Sequence, residues 1–252
     1  MRFPIRNTIL ITGASSGLGE GMAKEFARLG RNLALCARRL DRLEELKRYL
    51  LQINPSIRVS IRSVDVTNYE QVFEAFRAFA DELGTIDRFI INAGLGKGQP
   101  LGTGFFAANR QTAETNFVAA LAQCEAALEI LRKQNAGHLV TVSSIAGLRG
   151  QPRNATTYAA TKAGLASLTE GIRLELMDSP INVSTIFPGY IESEINAKVK
   201  NTPFIVDTAT GCRAMVRAIE RETAESYVPS WPWTAIGMLL RNLPLKVVAR
   251  MS

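Results

Sequence analysis

Residues 7–29, NTILITGASSGLGEGMAKEFARL, decide how the chain is read. Thr8 to Thr12 are all β-branched or aliphatic, as in a short strand buried on both faces. Glycines follow at 13, 17 and 19, and apolar residues then recur at three-four spacing from Gly17 to Leu29, as on one face of a helix. A strand that turns through glycines into a helix lets backbone approach a ligand closely. It also offers the free N–H groups of the helix N-terminus to a pyrophosphate. The spacing is G-x-x-x-G-x-G rather than the better-known G-x-G-x-x-G, and a purely structural glycine turn is the competing reading.

The alternation continues downstream. NLALCA, RVSIRS, DRFIIN, GHLVTVSS and NVSTIF are strand-like, with ESYV a short seventh, and helical periodicity fills Leu40 to Leu51, Tyr69 to Leu83, Thr112 to Arg132 and Tyr158 to Met177. Thr67 followed by Glu70 reads as a capping box at the start of the third helix. The pattern predicts an α/β fold: a single doubly wound Rossmann domain, with a mainly parallel sheet of about seven strands and helices on both faces. Residues 1–230 are expected to form the dinucleotide-binding and catalytic domain, with 231–252 an apolar, basic extension of it. Ligands of such folds bind outside the carboxyl ends of the strands, so the residues just past each strand are the candidates.

Past the second strand stand Ala37, Arg38 and Arg39. A fold that binds NAD usually places an acid here for the ribose 2′-hydroxyl, whereas arginine accommodates the 2′-phosphate of NADP. NADP(H) is therefore the preferred cofactor, a solvated helix start being the bland alternative for either arginine. Past the third strand come Asp65 and Val66, and past the fourth Asn92, Ala93 and Gly94, small enough to let a planar cofactor lie on the backbone. Past the fifth come VSSIAG and then TYAATKAGLA, with Tyr158 and Lys162 four residues apart on one helix face. A phenol has an ordinary pKa near 10, and bringing it down by about three pH units takes roughly 4 kcal/mol. A neighbouring ammonium and a cationic nicotinamide ring would share that work, giving a general acid/base active near neutrality.

Together these pieces closely resemble the short-chain dehydrogenase/reductase family. The match runs from Asn7 to about Val228 through TGASSGLG, DVT, NAG, Asn116 in ETNFVAAL, Ser144, YAATK and PGYIES. The resemblance implies a catalytic tetrad of Asn116, Ser144, Tyr158 and Lys162. In it the tyrosine exchanges the proton, the serine bonds the carbonyl oxygen, the lysine binds the nicotinamide ribose, and the asparagine holds a relay water. Either Ser143 or Ser144 can be the serine, and the alignment of SSIAG favours the second. Cofactor-binding positions follow as Gly13, Ser15, Ser16, Gly17, Leu18, Gly19, Arg38, Arg39, Asp65, Val66, Asn92, Ala93, Gly94, Tyr158, Lys162, Pro188, Gly189, Ile191 and Ser193. Two departures stand out: Ile91 replaces an asparagine that often precedes NAG, and Ser193 replaces a common threonine while keeping its hydroxyl for a carboxamide contact.

Bulk properties agree with this reading. A hydrophobic content of 46% with 21% charged residues describes an ordinary globular protein, and no apolar run reaches the ~18 residues of a membrane span. The net charge of +7 suits an anionic partner, but no nucleic-acid motif accompanies it. Cys36, Cys124 and Cys212 are odd in number and widely spaced, which suggests neither a disulfide framework nor a metal site and points to a reducing, cytoplasmic setting. His138 opens a strand, far from the carboxyl ends, and reads as structural or surface.

The expected activity is hydride transfer between NADP(H) and an apolar ketone, aldehyde or secondary alcohol. The alternative is a non-catalytic NADP-sensing regulator, against which the complete tetrad argues. The loop LGKGQPLGTGFF, with Phe105 and Phe106, and the stretch from Gly189 to Val206, with Phe204 and Ile205, should shape the pocket. The helix NFVAALAQCEAALEIL carries more apolar surface than one sheet face can use, which predicts a homodimer or homotetramer. Trp231, Trp233 and the aliphatic and basic residues after them can lie on a membrane interface, cover the substrate cleft or pack on a neighbouring subunit. Protein packing is the preferred reading over peripheral membrane contact.

Overall fold

The structure is a computed structural model that describes residues 5–96, 98–194 and 202–251, the last three of these by backbone only. Its centre is a sheet of seven parallel strands: β1 (Thr8–Thr12), β2 (Asn32–Ala37), β3 (Val59–Ser63), β4 (Arg88–Ile91), β5 (Gly137–Val142), β6 (Ile181–Pro188) and β7 (Glu225–Val228). Their order is β3-β2-β1-β4-β5-β6-β7, and ESYV is indeed the last strand.

Period-two alternation explains how one run serves two cores. Ile9 and Ile11 face one apolar cluster, and Leu10, between them, faces the other. Leu33 and Leu35 alternate with Ala34 and Cys36 in the same way. The first cluster is closed by α1 (Gly17–Arg28), α2 (Leu40–Ile53) and α7 (Thr208–Glu220), which bring Phe26, Leu43 and Met215. The second is closed by α3 (Tyr69–Leu83), α5 (Ala119–Gln134) and α6 (Thr156–Glu175), which bring Phe76, Leu131 and Leu165. Each such side chain contributes about 1.5–3 kcal/mol by leaving water.

Two local expectations change. Helix α3 is capped by Asn68, whose side chain accepts from the Gln71 N–H at 3.1 Å, so Thr67 and Glu70 do not form the capping box. The Thr67 hydroxyl instead donates to Asp65 Oδ1 at 2.7 Å, a closer partner than the backbone a turn ahead. The helix expected from Thr112 to Arg132 starts earlier, as α4 (Phe106–Ala113), and passes through a π-helical turn at Glu114–Val118 before α5. After β7, helices α8 (Ser230–Asn242) and α9 (Leu245–Met251) end the described chain.

Strand β1 lies between β2 and β4. The order therefore reverses at β1, and the crevice of a doubly wound sheet opens at the carboxyl ends of β1 and β4.

Candidate active site

The crevice is built from Thr12 outward. Its Oγ1 accepts from the Asn92 N–H at 3.0 Å and the Ala93 N–H at 3.1 Å, and Asn92 Nδ2 donates back to the Thr12 carbonyl at 2.9 Å. These bonds clamp the two loops where the strands separate. Gly13 sits at φ +65°, and a Cβ there would lie 2.8 Å from Ala93 Cα; a Cβ on Gly19 would lie 2.4 Å from the Gly13 carbonyl oxygen. Both glycines are thus required by close backbone approach. Ser16 is the N-cap of α1 but makes no side-chain cap bond, which leaves the first N–H groups of the helix for a ligand.

Arg39 lies across this loop. Its Nε donates to Ser15 Oγ at 3.2 Å and its Nη2 to Ser16 Oγ at 2.7 Å. Glu194 reaches the same point, accepting from the Ser16 hydroxyl at 3.1 Å and lying 3.5 Å from Arg39 Nη1. Arg38 instead faces Asp65: burial pushes that carboxyl up, but the Thr67 bonds and the Arg38 charge outweigh it and hold it below its usual value.

The catalytic candidates converge beyond β5 and β4. Ser144 opens the 3-10 turn Ile145–Leu148, its Oγ accepting from the Ala146 N–H at 3.2 Å and bonding the Tyr158 hydroxyl. Ser143 is buried and donates to the Lys162 carbonyl at 2.8 Å, so Ser144, not Ser143, meets the tyrosine. Lys162 is 5% exposed and donates to the Val142 carbonyl at 2.8 Å. An ammonium has three protons, so two remain for a ligand. Burial brings the Lys162 ammonium down to about 8.

Asn116 occupies the π turn, a geometry that recurs at functional sites. Its Oδ1 accepts from the Leu95 N–H and its Nδ2 donates to the Leu95 carbonyl, both at 2.8 Å, with Thr161 Oγ1 at 3.4 Å from Nδ2. It thereby pins the loop after β4 beside Lys162: a Cβ on Gly94 would lie 3.2 Å from Asn116 Oδ1 and 3.5 Å from Lys162 Nζ.

Within the chain alone, the expected lowering of the Tyr158 phenol is not present. Burial raises its pKa, the Ser144 bond opposes this, and nearby Tyr190 adds to the rise. The chain's own groups therefore keep the phenol protonated, and any lowering must come from what binds beside it.

Pro188 ends β6, and Gly189, Ile191 and Ser193 follow it, Ser193 standing 3.5 Å from where a Gly17 Cβ would be. Val66 and Leu18 flank the crevice as core-facing apolar residues. Ile91, in place of the usual asparagine, is 1% exposed and belongs to the α3/α5 core. Residues 195–201 of the expected substrate lid, and Lys97 of the loop after β4, lie outside the described residues. Phe105, Phe106, Phe204 and Ile205 are exposed.

Three residues that matter here were not singled out for the site. Thr12 opens the TGASSGLG motif but was passed over for its glycines, and Glu194 carries no sequence signal of its own. Tyr190, inside PGYIES, was within reach, since it directly follows the strand-end glycine.

The model of the short chain dehydrogenase family matches residues 7–203. The chain belongs to the short-chain dehydrogenase/reductase family. An uncharacterized oxidoreductase of Mycobacterium tuberculosis is 51% identical over 247 residues, covering 98% of each chain. The 11-beta-hydroxysteroid dehydrogenase 1A of Arabidopsis thaliana is 32% identical over 242 residues, covering 88% of this chain and 68% of the relative. Among solved structures, the alcohol dehydrogenase of Thermococcus sibiricus complexed with 5-hydroxy-NADP has a TM-score of 0.79 at 25% identity, covering 88% of this chain and 95% of that one. The chain is thus an oxidoreductase of a family that works with nicotinamide cofactors. Among the described residues no helix is long and apolar enough to cross a membrane.

Proposed function

We propose that this oxidoreductase uses NADP(H) to reduce an apolar ketone or aldehyde, and to run the reverse oxidation of the secondary alcohol. The observation that carries the reading is the convergence of the Tyr158 hydroxyl on Ser144, one helical turn from a buried ammonium with two uncommitted protons. The crevice suits the cofactor: glycines that tolerate no Cβ, an uncapped helix N-terminus, and Lys162 with spare donors. Arg39 on Ser15 and Ser16 supports the 2′-phosphate form. A guanidinium there offers a phosphate charge-assisted, bidentate bonds.

The cofactor supplies the hydride at C4 of its nicotinamide. Lys162 would bind the ribose hydroxyls through its free protons, and Asn116 keeps Gly94 and Leu95 clear of that position. Ser144 donates a hydrogen bond to the substrate oxygen, stabilising the negative charge that develops there. Tyr158 delivers its proton to the same oxygen, and the Lys162 charge stabilises the phenolate left behind. A phenol that burial keeps protonated is in the donating form that the reduction step uses.

Tyr158→Phe tests the reading. The variant should keep its melting temperature and NADPH affinity and lose about 100- to 10,000-fold in turnover with NADPH and a ketone panel. Undiminished turnover would sink it.

A further inference from the structure

Two asparagines, Asn109 on α4 and Asn116 in the π turn, hold the same loop and the same helix. Asn116 grips Leu95 through both its N–H and its carbonyl and reaches Thr161, the residue before Lys162. Asn109 repeats the arrangement one turn nearer the start of α6. Its Oδ1 accepts from the Gln99 N–H at 2.9 Å and from the Thr157 hydroxyl at 3.2 Å, and Thr157 is the residue before Tyr158. A backbone N–H can only donate, which fixes the amide oxygen on the side of the loop.

Helix α6 needs such a hold at this end. Its N-cap is Ala155, which makes no side-chain cap bond, and Thr156 turns its hydroxyl back to the Arg153 carbonyl at 3.0 Å. The first turn, which carries Tyr158, is therefore fixed from outside and not by a cap of its own. The loop after β4 lies against the same end: a Cβ on Gly98 would fall 2.2 Å from the Asn154 carbonyl oxygen and 3.7 Å from Asn109 Oδ1. Asn109 is 6% exposed. Packing alone would be served there by an apolar side chain, and asparagine is a poor former of helix interiors. Its use is the acceptor.

We propose that Asn109 is a positioning residue for the proton transfer: its amide oxygen ties the start of α6 to the loop after β4, so that Tyr158 and that loop keep one fixed relation. A displacement of about 1 Å at the reacting atoms is enough to cost about 100-fold in rate. This rests on the reading above in which Tyr158 delivers its proton to the substrate.

The experiment measures steady-state kinetics of the full-length enzyme with NADPH and cyclohexanone, 1-tetralone or acetophenone. Asn109→Leu should lower kcat about 10- to 100-fold and leave NADPH affinity within about twofold. Thr157→Val removes the hydroxyl and keeps the loop bond; it should lower kcat about three- to tenfold with KM unchanged. Asn109→Asp keeps an oxygen for both donors and Thr157→Ser keeps the hydroxyl, so each should recover kcat to within about threefold of the wild type. The double variant Asn109→Leu/Thr157→Val should be no slower than Asn109→Leu, because the two changes break one shared bond. A lowered melting temperature with kcat unchanged, or losses that multiply in the double variant, overturns the proposal. Should Asn109→Leu misfold, the Thr157 variants decide it: equal kcat in Thr157→Val and Thr157→Ser overturns it. Tyr158→Phe, measured alongside, separates the two readings. If it is inactive while Asn109→Leu and Thr157→Val turn over at the wild-type rate, this inference alone fails. If it keeps full turnover, or if the wild type binds NADPH yet reduces none of the three ketones, the carbonyl-reductase reading fails and this inference with it.

Discussion

Lys162 Nζ lies 6.0 Å from the centroid of the Tyr158 ring while donating to the Val142 carbonyl at 2.8 Å. The ammonium is therefore positioned by the end of a strand and not by the phenol, and its charge is held beside the crevice at a cost. Its pKa of about 8 when folded lies below its ordinary 10.5. A group depressed on folding contributes most favourably above its unfolded value, and loses that contribution as the pH falls through the folded one.

Lys162→Met should thus separate stability from function. Methionine keeps an apolar stem of similar length and removes the buried charge. We expect NADPH affinity to fall at least about tenfold, for want of the ribose contacts. The melting temperature at pH 7 should hold or rise. Between about pH 8 and 10.5 the wild-type protein should gain stability relative to the variant, which paired thermal melts at pH 7 and 9.5 would register. A variant less stable at pH 7, with no such convergence, would contradict the burial argument.

Arg39 and Arg38, adjacent in sequence, part company in space. Arg39 bonds Ser15 and Ser16, while Arg38 acts on Asp65. Arg39→Ala should weaken NADPH binding roughly 10- to 100-fold, the worth of charge-assisted bonds to a phosphate, and leave NADH binding nearly unchanged. Arg38→Ala should do less. Glu194 holds its carboxylate against the same Arg39 and Ser16, so Glu194→Gln should tighten NADPH binding a few-fold. Fluorescence titration of both coenzymes against the three variants decides the assignment.

The strands and most helices were legible because their signals are local. Thr8 to Thr12 and Glu225 to Val228 announce themselves by residue type, and Tyr69 to Leu83 by period. The glycine loop was legible because close approach admits one residue type. Asn68 was passed over for Thr67, since two capping side chains stood side by side and only the competing Asp65 bond separates them. The π turn at Asn116 depends on a partner loop at Leu95, twenty-one residues away in sequence, and no local period encodes it. Trp233 was visible as an oddity, but its seat on Gly189 is set by the packing of α8 on β7, a long-range contact. The part that burial and Tyr190 play in setting the phenol's pKa was not legible, since both depend on long-range packing.

The excess apolar surface foreseen on the helix around Cys124 is partly absorbed inside the chain, where α5 packs on α3 and α6. Val118 and Leu121, one turn apart on the outer stripe, remain 38% and 41% exposed. We expect them to meet a second copy of the chain. Leu121→Glu should then shift the protein to a smaller species in light scattering, with the isolated chain's own packing changed by no more than about 0.5 kcal/mol. An oligomer that survives the substitution would place the interface elsewhere.

Glu222 carries the acid stability of the opposite end of the sheet. Its side chain, 2% exposed, accepts from Arg6 Nε at 2.7 Å, Arg88 Nη2 at 3.0 Å and Asn182 Nδ2 at 2.5 Å, and Arg88 itself is wholly buried and also paired with Glu220. His138 completes the network in its neutral form. Burial and the Arg88 charge push its pKa down against the pull of Glu222, Nδ1 accepts from Arg88 Nε at 2.9 Å, and Nε2 is left to donate to Ser184 Oγ at 2.8 Å. The histidine is thus structural and buried. Burial pushes the Glu222 carboxyl up, but the Arg6 and Asn182 bonds and the Arg6 charge together bring it down to about 2 from an ordinary 4.5. Its contribution, about 3 kcal/mol, is therefore complete above pH 4.5 and disappears as the pH falls through about 2. Glu222→Gln removes it and leaves Arg88 with less compensation, a loss of about 3–5 kcal/mol for a buried pair. At about 2–4 °C per kcal/mol for a chain of this size, the melting temperature at pH 7 should drop by roughly 6–20 °C. Below pH 4.5 the stability of the variant should fall less steeply than that of the wild type. Parallel acid limbs would show that the carboxylate is not what holds the arginines in place.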